Sequence, residues 1–233
     1  MNSNFQLPLD DFPVDHHRAD EVLKFLNAQS FFEVIRKPTF PAGRCYWNVE
    51  DCISKHGGKS IYGWMIEWVP ELNVEAMHHA IYQTPNGELI DVSATSGPRS
   101  GNYTTFIPSN ELAINLSEPP RIPRRNYPLV NDPDLIRHLY LSERNFSAHT
   151  SFVRDFLNNG YAIFSEGEVK QIKSIDKAFE KKYKPEIEKT HKEGLAVREG
   201  ANKQVISSQA DSLIKISRIW ADFFPANTSN QPI

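Results

Sequence analysis

The chain has 233 residues, of which 39% are hydrophobic, and a formal net charge of −3. That length allows one large domain or a core with an appendage, and the apolar content excludes a wholly disordered chain. The near-balanced charge gives no basis for nucleic-acid binding.

Met1 to Pro13 lacks the basic start and apolar stretch of a secretory signal, and no apolar run approaches the roughly 18 residues that span a bilayer. A cytoplasmic protein with no membrane partner is expected, with a leaderless route of delivery left open. Residues 15–29 read as a first helix, capped by Asp15, with Ala19, Val22, Leu23 and Leu26 at helical spacing. Pro38, Pro41 and Gly43 mark residues 36–44 as a loop that ends just before Cys45. Cys45 to Lys55 fits a short helix stopped by His56-Gly57-Gly58. Cys45 and Cys52 are the only cysteines. Seven positions apart on a helix they stand too far apart to bridge, so both are expected as free thiols.

Lys59 to Val69, Glu75 to Gln83 and Glu88 to Ser93 read as three strands of an antiparallel meander, the last two joined by Thr84-Pro85-Asn86-Gly87. Gly63 marks a bulge or a close backbone approach. Residues 94–131 are rich in Pro, Ser, Gly and Asn, with one short strand near Thr104 to Ile107. Asp132 caps a helix with Pro133 in its first turn, and a separate helix follows near 149–158. From Ser165 onward Lys and Glu dominate, Pro185 is expected to break or kink any helix, and Val205 to Phe224 is amphipathic. The expected organisation is an α+β core over 1–164 and a helical region over 165–233.

Acyl transfer by a cysteine requires an ionisable thiol, a histidine within hydrogen-bond reach and a polar group that orients the imidazole. Cys45, at a loop-to-helix junction next to Arg44, suits the first role, because free backbone N–H groups and the helix dipole favour a thiolate and a developing oxyanion. His79 and Asp91 lie on the two strands that flank the Asn-Gly turn, within cross-strand reach of one another. His78 faces the other side of its strand and stays open as the alternative base. Asn48, one turn after Cys45, and Trp64 and Trp68 are candidate substrate contacts. No Cys-x-x-Cys, His-Glu-x-x-His or Gly-rich phosphate loop occurs, so neither a metal nor another cofactor is expected.

His79-Ala80-Ile81-Tyr82 followed by Gly87-Glu88-Leu89-Ile90-Asp91-Val92-Ser93 resembles the transglutaminase-like core, which reads His-Ala-Trp, Gly-Trp and Asp-Pro-Thr and belongs to the papain-like superfamily of cysteine hydrolases. The likeness covers residues 40–95. Ile81 or Tyr82 stands for the usual tryptophan, Val92-Ser93 for Pro-Thr, and the glutamine that often serves the oxyanion hole has no counterpart before Cys45. The resemblance implies a helix bearing the cysteine packed on an antiparallel sheet, with Cys45, His79 and Asp91 as nucleophile, base and orienting acid. It implies a peptide, protein or other amide substrate, or a thioester. The alternative expectation is a non-catalytic binding module on the same scaffold, with 205–224 as a partner-binding arm or a contact between two copies of the chain.

Overall fold

A computed structural model describes residues 9–165, 167–194 and 196–197. The fold is mixed α+β with a largely antiparallel sheet. Its elements in chain order are β1 (Asp10–Asp11), α1 (Ala19–Phe25), β2 (Phe32–Phe40), α2 (Cys45–His56), β3 (Lys59–Val69), β4 (Asn73–Gln83), β5 (Leu89–Ser93), β6 (Tyr103–Pro108), β7 (Arg125–Pro128), α3 (Pro133–Asn158), β8 (Ala162–Ser165) and β9 (Glu168–Gln171). The expected 205–224 helix lies outside the described residues.

Five strands pair in a closed ring, β3-β6-β2-β5-β4 and back to β3, with β1 and β7 on its flanks. Every pairing in the ring is antiparallel except β2 with β5. Alternation along each strand then divides the side chains between two faces. Val34, Ile81 and Phe106 fill the inside. On the outside, α2 packs Tyr46, Val49 and Cys52 against Ala80, Tyr82 and Val92. Val22 of α1 and Leu26 just beyond its end join Phe12, Trp64, Ile66 and Val74 in a second outer cluster. Gly63 is needed for closure: a Cβ there would sit 2.1 Å from the Ile107 carbonyl oxygen and 2.7 Å from the Phe106 ring. The close approach anticipated at Gly63 is therefore the crossing of β6.

The structure departs from the sequence reading in five places. The first helix is shorter than 15–29 and starts at Ala19, with Arg18 rather than Asp15 at its cap. Turns at 13–16 and 16–19 take up the preceding residues, and Asn27, at φ 54°, closes the far end. The expected loop over 36–44 is mostly β2, which accommodates Pro38 where its register with β5 shifts between Arg36 and Phe40. Arg125–Pro128 pairs with β4 inside the expected irregular stretch. The two helices expected after Asp132 are one, α3, whose start does carry the predicted cap from Asp132 to the Leu135 N–H. Finally, β8 and β9 form a hairpin that reaches into the stretch expected to be helical, and helix runs unbroken over 177–194 across Pro185. Phe179 and Tyr183 of that helix pack on Phe156 and Tyr161, and this apolar cluster holds it despite the lost proline N–H.

Candidate active site

Cys45 is the first residue of α2. Gly43, at φ 79°, turns the 41–44 segment into the helix. No side chain caps this start and no acid stands in its first turn. The first intrahelical bond runs from the Asn48 N–H to the Arg44 carbonyl, which leaves the preceding amides of the turn for other acceptors. The opening of α2 is thus a pole of partial positive charge beside the thiol.

The β4–β5 pairing is confined to two rows next to the turn, Tyr82 with Ile90 and Gln83 with Leu89. The same register extended places Asp91 opposite Ile81, so His79 is its diagonal neighbour on the inner face. His79 Nε2 lies 3.1 Å from Asp91 Oδ2. The Cys45 side chain lies close enough to the same imidazole to favour its protonated form, and both line one cavity. A thiol, an imidazole and a carboxylate from three elements therefore line one cavity of about 370 Å³.

Both partners of the ion pair are buried, His79 at 6% and Asp91 at 2% exposure. Burial disfavours the imidazolium, but the Asp91 carboxylate and the Cys45 sulfur outweigh it and raise the His79 pKa well above its ordinary value. For Asp91, burial works upward, and the facing imidazole with hydrogen bonds from Thr104 and Ser93 brings the net value below the usual carboxylate range. The Thr104 hydroxyl donates to Asp91 Oδ2 at 2.7 Å, and the Ser93 N–H donates to Oδ1 at 3.1 Å. Thr104 in turn accepts from Arg36 Nε at 3.1 Å, and Arg36 pairs with Asp11 at 2.6 Å. A continuous chain of contacts thus runs Asp11, Arg36, Thr104, Asp91, His79, Cys45.

His78, the alternative base, faces the opposite way, toward α2, as strand alternation requires. Its Nδ1 lies 2.8 Å from the Tyr46 hydroxyl. Burial, with His79 and Arg125 nearby, pushes its pKa down to about 4, so it is neutral at physiological pH.

The three candidate substrate contacts occupy other places. Asn48 is buried, and its Nδ2 donates to the Pro41 carbonyl at 2.8 Å and to Ser93 Oγ at 2.9 Å. It ties the helix bearing Cys45 to the strand bearing Asp91 and has no surface to offer a ligand. Trp64 is 2% exposed, with the Arg125 guanidinium over its ring at 4.3 Å. Trp68 packs edge-on against Phe12 and His16. Both tryptophans face the outer core, because even-numbered positions of β3 point away from the ring interior. Thr95, Arg99, Ile122 and Arg124, from the stretch 94–131, line the cavity.

Thr104, Arg36, Asp11, Glu67 and Arg99 carried no local motif. The adjacent Thr104-Thr105 pair in a short strand was the one available signal, since a buried hydroxyl on a strand needs a partner. Cys45 and Cys52 are free thiols, and Cys52 is buried against β4, where burial pushes its pKa up. Among the described residues no cluster of His, Cys, Asp or Glu is arranged to hold a metal ion, and no helix is long and apolar enough to cross a membrane. Comparison with protein-family models, with curated proteins and with solved structures found no match to this chain.

Proposed function

We propose that this chain is a thiol-dependent hydrolase or acyltransferase of papain-like or transglutaminase-like chemistry, acting on an amide or thioester bond. The observation that supports it is the His79 ring bonded to the Asp91 carboxylate in the cavity that Cys45 also lines from the uncapped start of α2. In this reading the Cys45 proton passes to His79, and the thiolate attacks the substrate carbonyl carbon, forming a C–S bond while the carbonyl π electrons move to oxygen. Amides of the first turn of α2 stabilise that oxyanion. His79 protonates the leaving amine or thiol as the bond to carbon breaks. Water, or an acceptor amine, then gives a proton to His79 and attacks the acyl-enzyme, and the sulfur leaves as thiolate. Asp91 holds the imidazole in place and balances its charge throughout. A peptide or other amide in the cytoplasm fits this reading.

The test is alkylation with iodoacetamide near pH 6, followed by peptide mass mapping. Cys45 is expected to react at least about tenfold faster than Cys52, with His79→Ala removing the difference. Equal and slow labelling of both cysteines refutes the proposal. Turnover of model amide and thioester substrates, abolished in Cys45→Ser, completes it.

A further inference from the structure

The cavity extends well beyond the three reacting groups. His79 is in register with Gly63, Met77 with Met65, and Glu75 with Glu67. Moving along β3 from Gly63 through Met65 to Glu67, three residues on one face, covers four residue steps, roughly 13 Å at about 3.3 Å per step. The same cavity is lined by Cys45, His79, Met65, Met77, Glu67 and Arg99. It therefore has a reactive end, an apolar middle with two methionines face to face, and a charged far end.

The far end is unusual in its burial. The Arg99 and Glu67 side chains are paired, with 5% and 2% exposure. Arg99 also donates to the Leu9 carbonyl at 2.9 Å. Its Nε is buried and has no partner. At the rim, Arg124 pairs with Glu75 at 2.7 Å. The two pairs leave the far end with no net charge. A ligand carboxylate or ammonium here would be a buried charge without compensation, and a hydrocarbon tail would strip water from both ions and return no hydrogen bond. A neutral group that offers one acceptor and one donor meets both ions: its carbonyl oxygen accepts from Arg99, and its N–H donates to Glu67.

We propose that Glu67 and Arg99 form a subsite that binds a neutral carboxamide or peptide group of the substrate, with an apolar segment lying on Met65 and Met77 between it and the scissile bond. This rests on the Cys45–His79–Asp91 reading and adds a substrate class to it: an extended, amide-bearing chain in preference to a plain acyl thioester.

The test uses two series of peptides, one to four residues long, with leucine over the methionines and glutamine at the far end. One series ends in an aminomethylcoumarin amide and grows on the acyl side. The other grows on the amine side and is followed by mass spectrometry. In one series kcat/KM is expected to rise at least about tenfold, through KM, once the chain reaches the ion pair. Replacing the far glutamine by glutamate or norleucine is expected to remove the rise without any change to the protein. Glu67→Gln is expected to lower kcat/KM on the longest substrate at least about fivefold more than on the shortest, with far-UV circular dichroism reporting the fold of the variant independently. A length series that is flat on both sides, or a rise that survives norleucine, overturns the subsite while Cys45-dependent turnover upholds the catalytic reading. Absence of turnover on every substrate, with Cys45 alkylated no faster than Cys52, overturns both.

Discussion

Replacing Asp91 with asparagine removes one charge and almost no volume, which isolates the electrostatic role of the buried pair. The carboxylate accepts two bonds at Oδ2, from Thr104 and His79, and one at Oδ1, from Ser93. An asparagine has one acceptor oxygen, so in either amide orientation its NH2 meets a donor. One orientation sets it against the Ser93 N–H, and the other sets it against Thr104 and His79. Leaving a buried donor unsatisfied costs about 1–3 kcal/mol, and breaking a buried ion pair about 3–5 kcal/mol in total.

The pH dependence separates the two effects. The folded-state pKa of His79 is raised, so its contribution is fully present below the unfolded value near 6.5 and is lost as pH rises through the folded value. Asp91 is lowered, so its contribution is present above about 3.8 and is lost as pH falls through its folded value. Urea unfolding of both proteins at pH 6 is expected to show Asp91→Asn about 3–5 kcal/mol less stable. The difference should shrink toward about 1–3 kcal/mol as alkaline pH discharges His79 in the parent protein. A loss under about 1 kcal/mol at pH 6, or one that does not change with pH, would refute the buried ion pair.

Thr104→Val keeps the shape but removes the hydroxyl that joins Arg36 to Asp91. It is expected to cost about 1–3 kcal/mol in urea unfolding and to lower kcat on a model amide with little change in KM. Gly63→Ala pushes a methyl group into the Ile107 carbonyl, 2.1 Å away. It is expected to cost at least about 2 kcal/mol, with faster amide hydrogen exchange in β3 and β6 than elsewhere.

What could be read from the sequence was local. The helix that opens at Cys45 follows a Pro/Gly segment and ends at paired glycines, and the β4–β5 hairpin is set by Asn86-Gly87. Those two signals place three of the site's residues on their elements. What could not be read depends on partners far apart in the chain. Phe32 to Phe40 contains a proline and becomes a strand only because β5 and β6 lie on either side of it. Arg36 and Asp11 are 25 positions apart, Arg99 and Glu67 are 32 apart, and nothing within either segment announces the other. The places of Trp64, Trp68 and Asn48 were illegible for a related reason. Aromatic and amide side chains serve a core or a groove equally well, and the choice is made by which face of the closed ring they occupy. Met65 and Glu67, one step along the strand, face the cavity instead.

The contacts that run from Asp11 to Cys45 visit the chain in the order 11, 36, 104, 91, 79, 45, with every step but one longer than twelve residues. The surroundings of His79 are therefore assembled from segments that meet only through the tertiary fold. Only when β6 locks between β2 and β3 does Thr104 meet Asp91 and steady the histidine. Such an arrangement ties the geometry around Cys45, His79 and Asp91 to completion of the sheet.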